Sequence, residues 1–208
     1  MPLQNRVDPF GNIHAVAARG AMMGNRGGRI HDPASKTINR RYASRRWIAC
    51  VCEFKNRRLE VMGKGYTMLF FLDEVTAFAA GHRPCAECRR PDFIRFQQSW
   101  QSAFGLEAAS KADEMDEVLH RERGVSGAGG AEIGHDALRR LPDGAMIEVG
   151  GKAYGIRGGK ALEWSFEGYG APTPISSHRG SLRLLTPPSI VKVFKTGYRA
   201  GGHSSAEP

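Results

Sequence analysis

Four cysteines fall within 39 residues of this 208-residue chain, as Cys50-x-Cys52 and Cys85-x-x-Cys88. Soft thiolates delivered as two close pairs are what a tetrahedral Zn²⁺ site asks for. The CxxC half lets two sulfurs of one tight turn converge on a single ion. In the other half, Cys50 and Cys52 share one face of a strand read over Trp47–Phe54, because side chains alternate with period two. Ile48 and Phe54 lie on that same face, so a metal-free pair of core cysteines is the competing reading. His31 or His82 standing in for one thiolate is a third.

The segment around the second pair carries a likeness. Phe70-Phe71-Leu72 is followed by Ala79-Ala80-Gly81-His82-Arg83-Pro84-Cys85-Ala86-Glu87-Cys88-Arg89-Arg90. This resembles the second half of the Ada-type metal-binding domain: an aromatic strand end, a short helix closing in Ala-Gly, then Arg-Pro-Cys-x-x-Cys-Arg. The resemblance implies a zinc-ribbon-like core with four cysteine ligands, Cys50, Cys52, Cys85 and Cys88. It also implies that Cys50, in the first pair, accepts a methyl group from a DNA methylphosphotriester. The likeness spans about 20 residues, or about 40 counted from Cys50. The family spaces its first pair as CxxxC, where this chain has CxC.

Charge points to a partner. The whole-chain excess of +9 is carried between Arg19 and Lys64, where twelve basic residues face three acids. A local basic surface suits a polyanion, and DNA is the expected partner. Arg40, Arg41, Arg45, Arg46, Arg57 and Arg58 of this stretch, with Arg83, Arg89 and Arg90 beside the CxxC turn, are the candidate phosphate contacts.

Other constellations stand beside these. Asp113, Asp116, Glu117 and His120 recur on neighbouring turns of an acidic helix, and carboxylates with histidine suit Mg²⁺ or Mn²⁺. Zinc-dependent DNA binding, in DNA repair or damage recognition, is the leading expectation, a nucleic-acid-processing enzyme such as a nuclease the alternative, and a non-catalytic interaction module the third. The solvated-face reading of that helix rests on its i,i+4 charge pattern. Cys85-Ala86-Glu87 and Pro84-Cys85-x-x-Cys88 copy two deaminase motifs, but they overlap on the same residues, which a deaminase needs at separate positions. Trp164, Phe166 and Tyr169 read as the core of a small β lobe ahead of a base-stacking surface.

The elements that must position these groups read as α+β. Residues 1–46 are expected to be a weakly structured basic arm, 47–123 a metal-binding α/β core, and 124–208 a β-rich lobe with a terminal helix. In the core, strands are expected over Trp47–Phe54, Leu59–Met62 and Tyr66–Leu72. Asp73 then caps a helix over 74–80, with Gly81 past its end. A longer helix over 91–104 carries Phe93, Phe96, Trp100 and Phe104 at three- or four-residue spacing. In the lobe, Gly150-Gly151 and Gly158-Gly159 separate three short strands as a meander. No apolar run reaches the roughly 20 residues of a membrane helix, and the start lacks the pattern of a signal peptide. A reducing, cytoplasmic setting is the expectation, and it favours metal ligation over disulfides.

Overall fold

The computed structural model describes residues 1–56, 60–126, 131–178 and 180–206, and for 124–126 the backbone alone. Helices and two six-stranded sheets make an α+β fold. The first sheet contains β1 (Arg6–Val7), β2 (Ile13–His14), β3 (Met22–Arg26), β4 (Trp47–Cys50), β5 (Leu69–Phe71) and β6 (Arg83–Pro84), in the order β2-β1-β5-β3-β4-β6. The second contains β7 (Ala131–Glu132), β8 (Met146–Val149), β9 (Lys152–Arg157), β10 (Lys160–Trp164), β11 (Tyr169–Pro174) and β12 (Leu182–Leu184), in the order β11-β10-β9-β8-β12-β7.

Three sequence expectations change here. Residues 1–46 are no arm: they supply β1, β2 and β3, and β3 lies inside the sheet between β5 and β4. Its signal is weak because Gly24, Asn25 and Arg26 are polar or small, yet buried. Gly24 is required by close approach, since a Cβ there would meet the Ile48 carbonyl oxygen at 2.4 Å and the Phe71 ring at 2.8 Å. The strand begun at Trp47 stops at Cys50. The expected strand 59–62 is a turn over its described residues, with Met62 at φ 56° and the Gly63 amide donating to the Glu60 carbonyl at 3.1 Å.

The expected helices and the three expected meander strands are present, while β7, β11, β12 and a short helix after β7 are additions to the sequence expectation. Helix α1 (Glu74–Ala79) is capped by the Asp73 carboxylate, which accepts from the Thr76 amide at 2.8 Å, and Gly81 follows at φ 78°. Helices α2 (Arg90–Phe104) and α3 (Ala112–Ser126) come next, then the short α4 (His135–Leu138). The meander β8–β11 is antiparallel throughout. Its Gly-Gly turns have positive φ at both central residues, 58° and 82°, then 54° and 69°. That is the geometry of a type I′ hairpin. Helix α5 (Pro188–Lys195) starts on proline and returns from the second sheet to α2 and α3. There Phe78, Phe96, Trp100, Met115, Leu119, Val193, Phe194 and Tyr198 form one core. Among the described residues no helix is long and apolar enough to cross a membrane.

Candidate metal centre

Parallel pairing of β4 with β6 sets the site. Ile48 stands opposite Arg83 and Ala49 opposite Pro84, and the Cys85 amide donates to the Ala49 carbonyl at 2.9 Å. Cys50 at the end of one strand thus lies beside Cys85 just past the other. The turn to α2 then brings Cys88 back, with the Arg89 amide donating to the Cys85 carbonyl at 3.2 Å. As a result the sulfurs of Cys50, Cys85 and Cys88 lie within 4.8 Å of one another. Among the described residues they are the one such cluster of potential ligands.

Backbone donors favour anionic sulfur here. The Glu87 amide donates to Cys85 Sγ at 3.4 Å, the Cys88 amide supports the same sulfur, and the Val51 amide supports Cys88. Hydrogen bonds from Cys50 and Cys88, outweighing burial, pull the Cys85 thiol far below the ordinary range. Hydrogen bonds to Cys85 and Cys88, reinforced by burial, push Cys50 up. Beside this cysteine trio lies a cavity of about 160 Å³ walled by Met23, Ile48, Tyr66, Met68 and Phe70.

Cys52 does not join the trio. With β4 ended at Cys50, alternation no longer directs residue 52 to the same face, and its exposed sulfur donates to the Ala21 carbonyl at 3.5 Å. Neither histidine takes its place. His31 is held through Nδ1 by Thr67 Oγ1 at 2.5 Å and through Nε2 by the Gly63 carbonyl at 2.9 Å. His82 is wholly buried, with ring centroids 5.0 Å from Trp47 and 4.7 Å from Phe71. Cys50, the expected methyl acceptor, is only 5% exposed, whereas Cys88 is half-buried.

The expected phosphate contacts divide sharply. Arg83 is buried and makes a bidentate pair with Asp116, at 3.0 and 2.7 Å. Arg89 is buried against Glu74 at 2.7 Å and Asp92 at 2.8 Å. Both belong to the fold and not to a surface. Arg45 and Arg46 are exposed but face Glu117 at 3.7 Å and Asp113 at 3.0 Å. Arg40, Arg41 and Arg90 are exposed and make no ion pair among the described residues. Arg57 and Arg58 lie outside the described residues.

These pairs also occupy the carboxylates of the alternative divalent-metal face on α3. Asp113, Asp116 and Glu117 each answer an arginine, and His120 packs edge-on against Tyr42 at 5.1 Å. In the lobe, Trp164 Nε1 donates to Thr76 Oγ1 and the Tyr169 hydroxyl to Asp73 Oδ2, both at 3.0 Å. The two aromatics clasp the start of α1, as core residues do. Comparison with protein-family models, curated proteins and solved structures finds no match for this chain.

Proposed function

We propose that this chain is a zinc-binding protein in which Cys50, Cys85 and Cys88 hold the ion. One observation carries the reading: three sulfurs from two separate elements converge within 4.8 Å. Thiolates select soft or borderline metals, and three of them with backbone N–H support suit Zn²⁺ at neutral pH. The likeness of residues 79–90 to the Ada-type turn supports the same ion. Cys52 borders the same cavity and is the fourth thiolate that the chain offers. Burial of Cys50 favours a holding role for that sulfur over a reactive one. Elemental analysis of purified protein is expected to give about one zinc per chain. Cys85→Ser and Cys88→Ser should lose it, and Cys52→Ser separates three ligands from four. Protein that is well folded yet takes up no zinc would sink the reading.

A second reading, DNA binding, rests on Arg40, Arg41 and Arg90, which are exposed and make no ion pair among the described residues. Affinity for duplex DNA should fall with salt, and Arg40→Ala with Arg41→Ala should reduce the log–log slope by about 2. No detectable binding at low salt would retire it.

A further inference from the structure

Away from the cysteines, two guanidiniums are buried with no ion pair among the described residues. The guanidiniums of Arg26 and Arg123 both lie over the ring of Trp47, at 4.1 and 4.5 Å from its centroid. Arg26 is 1% exposed, Trp47 2% and Arg123 5%. Each guanidinium is held by carbonyls: Arg26 donates to Gly11 at 2.7 Å, and Arg123 to Gly81 at 2.8 Å and Arg45 at 2.9 Å. Arg26 Nε, Arg123 Nη2 and Trp47 Nε1 have no acceptor among the described residues.

The carboxylates that act on this pair are committed elsewhere. Asp8 accepts from Asn12 and faces His14. Asp116 binds Arg83, and Glu122 accepts from Ser189. Burial, then repulsion from Arg41 and Arg123, draws Arg26 down to about 9. Burial likewise draws Arg123 to about 9, while His82 next to them is held well below its ordinary range. An uncompensated buried charge is among the costliest features of a fold.

Trp47 and Arg123 wall a small cavity of about 20 Å³, with exposed Arg41 also lining it. That is room for a single water-sized species. Phe10 and Gly11 close it from the N-terminal segment, Ala79 and Ala80 from the end of α1, and Leu185 and Pro187 from the link between β12 and α5.

We propose that the chain binds one small anion of chloride size between Trp47, Arg41 and Arg123. Neutral water would fill the volume yet leave the buried Arg123 guanidinium without a counter-charge there; an organic phosphate exceeds the room. The ion sits where the first sheet meets the connection leaving the second, so it ties the two halves and acts as a structural ligand. A ligand bound only by the folded state raises stability in proportion to the logarithm of its concentration.

The test compares sodium chloride with sodium gluconate at equal ionic strength. Chloride is expected to raise the thermal midpoint above that in gluconate, by a difference that grows with concentration. Trp47→Phe keeps the ring and deletes one N–H, so it should weaken chloride about tenfold to a hundredfold, the share of one charge-assisted hydrogen bond. Crystals grown with bromide should show an anomalous peak beside Arg123. Equal midpoints in the two salts at every concentration, or water in place of bromide at Arg123, would overturn the proposal.

Discussion

At the scale of single residues, the CxxC pair and Cys50 were readable because each depends on local geometry alone: a tight turn, and a strand of at least four residues. Cys52 was not, because its direction depends on where β4 ends. His82 shows a further limit, since its motif context suggested a ligand while tertiary packing made it core. Buried between Trp47 and Phe71, its ring stays neutral, chiefly through burial and then through Arg26 and Arg123, against nearby carbonyls of Ala77 and Ala80. A histidine with a depressed folded-state pKa leaves stability unaffected above its unfolded value near 6.5. Below that, the unfolded chain takes up a proton that the native chain refuses, so stability falls as pH falls, by up to about 1.4 kcal/mol per pH unit. Because neither ring nitrogen has a side-chain hydrogen-bond partner among the described residues, His82→Phe should be within about 1.5 kcal/mol of the parent at pH 7.5. Between pH 6.5 and 5.5 the variant should gain on the parent in urea unfolding. Identical pH dependence of the two would refute a neutral buried His82.

At the scale of elements, helical spacing placed Asp113, Asp116 and Glu117 correctly on α3, but sequence alone could not say what faces them. The partners come from far along the chain, Arg45 and Arg46 from just before β4 and Arg83 from β6. Arg45, Arg46 and Arg83 therefore meet the acidic residues of α3 in one contact, while Arg40, Arg41 and Arg90 stay outside it. The same contact separates two magnitudes. The Arg83–Asp116 pair is buried at 4% and 2% side-chain exposure, whereas Arg46 and Asp113 are exposed at 66% and 69%. Asp116→Ala leaves a guanidinium buried without its partner and should cost about 3–5 kcal/mol. Asp113→Ala should cost less than about 1 kcal/mol. Denaturant unfolding of both variants checks this, and equal losses would show that burial does not govern the pair. The strands divide in the same way. The meander was legible because its Gly-Gly turns specify hairpins locally, and β3 was not, because its glycine and arginine are chosen by neighbours distant in sequence.

At the scale of the molecule, one core cluster draws side chains from both sides of the boundary expected near residue 124. Tyr198 packs against Phe78, Phe96 and Phe194, and its hydroxyl donates to Glu74 Oε1 at 3.1 Å. The Gly201 and His203 amides donate to Glu74 and Asp73 at 2.8 and 2.9 Å, so the C-terminal segment also closes the start of α1. Composition could not reveal this, since the apolar face of α5 fits either half equally well by pattern. Four buried side chains, Ile190, Val193, Phe194 and Tyr198, would leave the first-half core with residues 127–208 removed. At about 1.5–3 kcal/mol each they amount to roughly 6–12 kcal/mol. That is comparable to the whole stability of an ordinary domain, about 5–15 kcal/mol. A fragment of residues 1–126 should therefore lack a cooperative thermal transition and bind a hydrophobic dye. A synthetic peptide of residues 185–206 added in trans should restore some of the transition, because it returns both the four side chains and the bonds to Asp73 and Glu74. The intact chain should melt once, with near- and far-ultraviolet circular dichroism changing together. A fragment that unfolds sharply by itself, or two separated transitions in the intact chain, would show that the shared core contributes little and that the halves are separate domains.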